Sequence, residues 1–165
     1  MEAEAYETSV FLPEVSNWPD LRFTPSEAGY AHKTSWCHGA AGIALSRLAA
    51  LPILDTPQVR EDISHGLRAT RLAGAQGLDT ACCGAMGRVE VFVVAAKELG
   101  DPGYLQEARK LASSILRRSQ QDRSYALGWK KVPYLASFHQ GMAGIGYEFL
   151  RLATPASLPS LLLWE

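Results

Sequence analysis

Several features that mark whole classes of protein are missing from this sequence. Its longest apolar runs are far shorter than the ~20 residues that a membrane-spanning helix needs. The formal net charge is -1, so the composition gives no indication of binding to nucleic acid or to an anionic membrane. The acidic segment from Met1 to Tyr6 has no apolar region of the kind found in secretory signals, so we expect a cytoplasmic protein.

Cysteines are also scarce. There are three, an odd number that does not suit a disulfide framework, and no Cys-x-x-Cys spacing occurs. In a reducing compartment, clustered cysteines more often bind metal or take part in catalysis. The remaining composition is that of an ordinary globular protein, with 165 residues, 47% of them hydrophobic and 20% charged. This is the length of one domain or of part of a larger one.

A short pattern occurs three times along the chain, in residues 36–42, 80–87 and 138–144. Each copy contains two glycines three residues apart, and an apolar run follows. The first glycines are Gly39, Gly84 and Gly141, so successive copies lie 45 and 57 residues apart. Repeats of this size, with one helical hairpin per unit, predict stacked pairs of helices. The glycines are also compatible with a simple packing role, in which backbones approach closely.

Five helices are predicted, alternating between apolar and amphipathic. The apolar helices follow the glycine patterns and should form an inner layer, and the amphipathic ones should form an outer layer. Thr56-Pro57 and Asp101-Pro102 are the caps predicted for the amphipathic helices, whose charged residues, Asp62 and Arg118 among them, should largely face water. The predicted helices run from Gly39 to Pro52, from Thr56 to near Gly74 or Gly77, from Gly84 to Gly100, from Gly103 to about Ser119, and from Gly141 to Pro155.

Three segments show no sustained period. Residues 1–35 are predicted to be an irregular lead-in, with a short extended piece at Ser9 to Leu12. Residues 120–138, which include Trp129 and Pro133, are predicted to be a loop or loose hairpin. The apolar tail at 158–164 is expected to dock in extended form on the surface.

The cysteines fall on the repeat. Cys37 and Cys82 each stand two residues before the first glycine of a copy, and Cys83 is next to Cys82. Helix N-termini should lower the pKa values of such thiols. Three thiolates suit zinc and leave a fourth coordination position open. In the alternative interpretation, these cysteines pack as small hydrophobic residues.

Three thiolates would donate strongly to zinc and reduce its Lewis acidity. Such a centre is a poor source of hydroxide and is better suited to holding a further thiol as a nucleophilic thiolate. This ligand set therefore indicates thiol alkylation rather than hydrolysis.

Two histidines are candidates for catalysis. His38 adjoins Cys37 and could act as an acid or base, or could support a metal ligand. His139 stands at the position of Cys37 and Cys82 in the third copy, where it could be a fourth ligand, a proton donor or a capping residue. Other candidates are weaker, as surface or packing residues or as aspartates that could orient a histidine: His32, His65, Asp20 and Asp79.

The motifs together resemble a known family. Trp36-Cys37-His38-Gly39, Cys82-Cys83-Gly84 and the run from Gly141 to Leu152 are similar to the last part of the cyclase domain of lanthionine synthetases. This is the LanC-like family, and the likeness is greatest to the bifunctional LanM type. Residues 17–22 and 159–163 share the resemblance, which covers nearly the whole chain from about residue 10.

The resemblance implies an all-α fold, an α/α toroid of seven helical hairpins around zinc. It implies Cys37, Cys82 and Cys83 as zinc ligands; the last is a departure, because most members have His there, and defines a Cys-Cys-Gly variant. The implied reaction adds a cysteine thiol of a precursor peptide to dehydroalanine or dehydrobutyrine, which are dehydrated Ser and Thr, and forms a thioether.

About three of the seven repeats are present, in residues 36–165. The family's acid–base histidine belongs to an earlier repeat, and the dehydratase domain of the LanM type is also absent. We therefore expect a fragment whose partner could be the N-terminal part of the synthetase. The alternatives are a non-catalytic peptide-binding or remnant zinc module, and a structural zinc site if His139 completes it.

Overall fold

The computed structural model describes residues 2–128 and 134–164, and within them the fold is mainly helical. Trp129 and Pro133, which belong to the predicted loop, lie outside the described residues. Two-residue strands, β1 (Thr34–Ser35) and β2 (His38–Gly39), pair antiparallel. The helices are α1 (Glu2–Ser9), α2 (Ala40–Ala50), α3 (Pro57–Ala73), α4 (Ala85–Glu98), α5 (Pro102–Asp122) and α6 (Met142–Ala153).

The helices form the two predicted layers. Helix α4 lies between α2 and α6 and contacts both, while α3 packs on α2 and α5 packs on α4. Eleven consecutive residues of α4, from Ala85 to Ala95, are buried. The prediction of apolar inner helices and amphipathic outer helices is therefore confirmed. None of the helices in the described ranges combines the length and apolar character needed to cross a membrane.

The outer helices begin at the predicted caps. The Thr56 side chain accepts a hydrogen bond from the Val59 backbone N–H at 3.2 Å, and Asp101 accepts one from Gly103 at 2.8 Å. A proline follows each cap, where its missing N–H costs nothing. Helix α5 continues to Asp122, three residues beyond the predicted end near Ser119.

The glycine patterns occupy equivalent places in the fold. A Cβ atom on the second glycine of each copy would collide with the carbonyl oxygen six residues earlier. The close backbone approach expected at the glycines is therefore present in all three copies, and larger side chains there would push the loop away from its helix. The pairs are Gly42 with Trp36, Gly87 with Ala81, and Gly144 with Phe138.

The first copy differs from the others in how its helix begins. In the second and third copies, the first helical N–H donates to the backbone carbonyl of Leu78 or Leu135, at 2.8 and 2.7 Å. In the first copy, the Ala40 N–H instead donates to the side chain of Asn17 at 2.8 Å. Gly39 has a φ of 77°, in the region that favours glycine. Asn17 of the lead-in thus supplies the hydrogen-bond acceptor that a backbone carbonyl of the preceding loop supplies in the other two copies.

The prediction that residues 1–35 are irregular is wrong at their start. Glu2–Ser9 forms α1, and the expected extended piece at Ser9 to Leu12 is absent. Helix α1 has no buried residue, so apolar periodicity could not reveal it. It is held by polar contacts instead, because Glu7 accepts hydrogen bonds from Arg47 at 2.6 Å and from the Trp18 indole at 3.0 Å.

The prediction of an extended tail is also wrong. Residues 161–164 form consecutive turns, and Leu162 and Ser160 are buried. The Leu162 carbonyl accepts a hydrogen bond from the Trp36 indole at 3.0 Å, and the Leu158 carbonyl accepts one from Arg151. The first of these bonds spans 126 residues and the second spans seven, and together they hold the tail against the helices.

Several charged residues are buried, one of them against a prediction. Asp62 was expected to face water but is 2% exposed, because Arg47 of the neighbouring α2 donates to it at 3.0 Å. On α4 and α6, Arg151 donates to both oxygens of Glu90, at 2.8 and 2.7 Å. Glu148 is buried on the same side, and neither of its oxygens has a well-formed hydrogen bond to another described residue.

Candidate metal centre

The three cysteines meet at one point between the inner helices. Cys37 lies in the turn between β1 and β2, and Cys82 and Cys83 lie in the turn before α4. The Sγ of Cys83 is 3.1 Å from that of Cys82 and 3.3 Å from that of Cys37, and all three sulfur atoms lie within 4.8 Å of one another. All three are free thiols and are half-buried.

The loop that carries Cys82 and Cys83 is fixed on two sides. The Cys82 N–H donates to the carbonyl of His139 at 2.9 Å, which ties the second glycine pattern to the third. Asp79, which the sequence suggested for the surface or for orienting a histidine, is fully buried. Its carboxylate accepts hydrogen bonds from Arg118 of α5 and from the Ala126 N–H, the latter at 2.8 Å. Arg118 therefore holds this loop instead of facing water.

Arg88 is a supporting residue that the sequence analysis missed. Its guanidinium donates to the carbonyls of Thr34 and Gly74, at 2.9 and 2.8 Å, and to that of Gln76. Burial lowers its pKa to about 10. These bonds tie the strand before Cys37 to the helix after Cys83. The sequence does contain a signal for this role. A basic residue inside the otherwise apolar run of α4 must have hydrogen-bond partners, because a buried charge without them is costly.

The expected lowering of the thiol pKa values is wrong for Cys82 and Cys83 in the absence of metal. Burial is the main cause that raises the pKa of Cys82, and hydrogen bonding to Cys83 and the negative charge of Cys37 raise it further. Burial also raises the pKa of Cys83. A metal that binds here must therefore displace protons, and its affinity should depend on pH.

The donor set fits zinc. Zinc–thiolate bonds of about 2.3 Å place tetrahedral sulfur atoms roughly 3.8 Å apart. The three sulfurs lie within 4.8 Å of one another, so they are close enough to share one ion. Among residues 2–128 and 134–164, the group of close donor atoms consists of these three cysteines. Three protein ligands leave one coordination position for a substrate.

A cavity of about 470 Å³ opens on Cys37 and Cys83. Its other lining residues include His38 and three basic residues, Arg22, Lys33 and Arg88. Asp20, which was weighed as a surface residue or a partner of histidine, is buried and accepts two hydrogen bonds from Arg22 at 2.7 and 2.6 Å. These bonds lower the pKa of Asp20 to about 2.

Three aromatic rings pack together on residues that adjoin the ligand loops, since Trp36 precedes Cys37 and the His139 carbonyl accepts the Cys82 N–H hydrogen bond. His139 stacks on Trp36 with a centroid distance of 5.8 Å, and Trp164 lies 5.9 Å from His139 and 6.5 Å from Trp36. We call these three residues the aromatic group. Its histidine ring is outside the sulfur cluster, so the structure does not bring His139 in as a fourth ligand.

The two remaining histidines lie away from the thiols. His32 is exposed in its loop, and its ring contacts the Tyr30 carbonyl at 3.4 Å. His65 packs on Phe11 with ring centroids 4.6 Å apart and is 3.7 Å from Glu61. Both agree with the expected surface and packing roles.

Comparison with known families gives a match of nearly full length. The family described as lanthionine synthetase C-like protein matches residues 2–163. Members of this family are α/α toroids that bind zinc and act on peptide substrates. The helical layers, the three repeated glycine patterns and the cysteine cluster agree with that match, and the chain belongs to the lanthionine synthetase C-like family.

Proposed function

We propose that this chain takes part in zinc-dependent thioether formation, in which a cysteine thiol of a precursor peptide adds to dehydroalanine or dehydrobutyrine. The observation that supports the proposal best is the cluster of three free thiols, two of which, those of Cys37 and Cys83, line an open cavity. Cys37, Cys82 and Cys83 would hold the zinc ion, which supplies a position where a peptide thiol is kept as a thiolate. The two adjacent cysteines before Gly84 also support the Cys-Cys-Gly variant and the LanM type.

The other residues of the site have separate proposed roles. Arg88 and Asp79 keep the ligand loops in place through their hydrogen bonds. The aromatic group offers an apolar wall against which peptide side chains can pack and exclude water. Of the two candidate histidines, His38 lines the cavity, so it is better placed to deliver a proton to the product carbon.

The metal centre is tested by zinc content. Protein purified under reducing conditions should carry close to one equivalent, measured by elemental analysis. Cys83→Ser should weaken zinc binding by more than the ~10–100-fold that follows loss of a supporting hydrogen bond. The matched control is Ser35→Ala, which removes the 3.6 Å contact to the Cys37 sulfur but no ligand. Less than about a tenth of an equivalent in the unmodified protein would refute the metal centre.

Ring formation is tested with a dehydrated peptide that contains cysteine. Because cyclisation leaves the mass unchanged, remaining thiols are capped with a maleimide before mass spectrometry. We expect the fraction of peptide that the maleimide modifies to fall faster with zinc-loaded protein than with zinc-free protein. His38→Ala should slow this reaction about 10²-fold or more, while His32→Ala serves as the control because His32 is exposed outside the cavity. Equal rates with and without zinc would refute the catalytic proposal.

A second candidate, a peptide-binding module without turnover, is favoured by the aromatic group. Trp164 is 74% exposed, which is unusual for so large a ring. A change in tryptophan fluorescence on adding the same peptide, without ring formation, would support this alternative. Loss of that change in Trp164→Ala would assign it to the aromatic group.

A further inference from the structure

The cavity that Cys37 and Cys83 line also contains three basic residues, whose positive charge has no role in binding a cation. Of the three, Arg88 donates hydrogen bonds to three backbone carbonyls, so its role is structural. Lys33 is exposed, and no carboxylate pairs with it among the described residues. Arg22 alone combines a place on the cavity wall with a fixed orientation.

Arg22 is oriented by a buried partner. Its Nε and Nη2 atoms donate to the two oxygens of Asp20, whose side chain is 2% exposed, while the side chain of Arg22 itself is 55% exposed. The Asp20 N–H in turn donates to the Ala31 carbonyl at 2.7 Å, which fixes the loop. One edge of the guanidinium is therefore held against the protein, and the N–H groups of the other edge remain for an oxygen in the cavity.

The charge of Arg22 reaches the thiols. The pKa of Arg22 is raised mainly by its hydrogen bonds to Asp20, and the negative charges of Cys37 and Cys83 add to this effect. A guanidinium that interacts electrostatically with thiolates from the wall of this cavity will also stabilise negative charge that develops on a molecule bound there.

Thiol addition creates such a charge. The sulfur lone pair forms a bond to Cβ of the dehydro residue, and the electron pair of the C=C bond moves toward the neighbouring carbonyl, leaving an enolate oxygen. The proton given up by the thiol is balanced when Cα takes up a proton, and no group leaves. Negative charge on the substrate is greatest in the enolate, and a hydrogen-bond donor to the enolate oxygen would stabilise it.

We propose that Arg22 is a catalytic residue that donates hydrogen bonds to the carbonyl oxygen of the dehydro residue and to its enolate, with Asp20 as its positioning residue. This rests on the proposed function. In this proposal, Arg22, in the segment before the first repeat, activates the dehydro residue as the electrophile. The three cysteines act on the peptide thiol, which is the nucleophile.

The chain supplies a matched control. Arg60 forms the same paired contact with Asp55, at 2.6 and 2.7 Å, and its side chain is 56% exposed, but it lies on the outer helix α3 away from the cavity. We expect Arg22→Gln to lower kcat about 10²–10³-fold while zinc content and KM change little. Arg22→Lys should recover part of the rate, and Arg60→Gln should match the unmodified protein. A kcat for Arg22→Gln within about twofold of the unmodified value would overturn the proposal.

A second measurement does not depend on turnover. The metal-free protein is treated with an anionic thiol reagent, 5,5′-dithiobis(2-nitrobenzoate), and with the neutral 4,4′-dithiodipyridine. The ratio of the two rates reports the local potential at the cysteines, and Arg22→Gln should lower it about three- to tenfold. Arg60→Gln should leave it unchanged.

The two experiments separate the two proposals. If the unmodified protein forms no thioether, the proposed function fails and the enolate role of Arg22 fails with it. The reagent ratio still decides whether Arg22 presents its charge to the thiols, and an unchanged ratio in Arg22→Gln refutes that placement whatever the activity.

Discussion

Replacing Glu148 by Gln should make the protein more stable at alkaline pH than the unmodified chain. Glu90 and Glu148 are 0% and 1% exposed, and Arg151 provides their positive partner. Two buried carboxylates with one guanidinium leave one negative charge uncompensated, which is costly in a medium of low polarity. Burial, and after it the charge of Glu90, raises the pKa of Glu148 well above its usual value. Glu148 therefore keeps its proton when the protein is folded.

The magnitude follows from proton linkage. The unfolded chain releases this proton near the ordinary glutamate pKa of 4.5, whereas the folded chain retains it. From that pH upward, the folded state binds one more proton than the unfolded state, so its free energy of unfolding falls with pH. The slope is about 1.4 kcal/mol per pH unit and continues until Glu148 ionises. Burial raises the pKa of Glu90 as well, so part of the slope belongs to Glu90. Glu148→Gln lacks the Glu148 proton and should lack only the contribution of Glu148 to the slope.

The assay is urea unfolding, followed by circular dichroism at several pH values. At pH 4.5 the variant should lie within about 1 kcal/mol of the unmodified protein, because glutamine resembles a protonated glutamate in shape. Above it, the difference should grow in favour of the variant. Glu27→Gln, at an exposed position, controls for the loss of one surface charge.

Two results would contradict this reasoning. A difference that stays constant with pH would show that Glu148 does not retain an extra proton in the folded state. A loss of about 3–5 kcal/mol at every pH, the size expected for Arg151→Met, would show that Glu148 is an ionised partner of Arg151.

Three further predictions concern the frame of the site. Gly66→Ala should lower the free energy of unfolding by about 1–2 kcal/mol in urea titrations, because the new Cβ would lie 2.7 Å from Ala40 O and Ala44 Cβ. Gly146→Ala, with nothing within 4 Å of its Cβ, should raise the same quantity by about 0.5–1 kcal/mol; matching signs would refute the packing argument. Asn17→Ala should cost about 2–3 kcal/mol, since the buried Ala40 N–H loses its acceptor, and amide exchange at Ala40 should speed up; unchanged exchange would count against this. Asp79→Asn should reduce zinc affinity about tenfold in a competition titration with a chromophoric chelator, because Asp79 holds the ligand loop, and an unaltered affinity would limit Asp79 to stability.

The sequence revealed the features that repeat. The glycine patterns, the caps at Thr56 and Asp101 and the alternation of apolar and amphipathic helices are local signals, and the structure confirms them. The family resemblance is confirmed as well. The equivalent placement of Cys37 and Cys82 predicted their meeting, and the structure brings their sulfurs together with that of Cys83.

The sequence could not reveal contacts made by polar residues over long distances. The sequence predicts that Asp62 and Arg118 face water, and that Asp79 faces water or orients a histidine, because apolar periodicity carries no information about a charge whose partner lies on another element. Helix α1 was missed for a related reason, since it buries no apolar stripe. The pKa values of Cys82 and Cys83 differ from the prediction because burial, which raises them, outweighs the effect of the helix N-termini.

The path of the C-terminal tail affects how the protein can be handled in the laboratory. The ring of Trp164 lies 6.5 Å from that of Trp36, which precedes Cys37, and the Trp36 indole donates a hydrogen bond to the Leu162 carbonyl of the tail. An oligohistidine tag fused after Glu165 would begin two residues past Trp164, so its imidazoles could compete with the cysteines for zinc. A tag placed before α1, which has no buried residue, is the safer choice for measuring metal content.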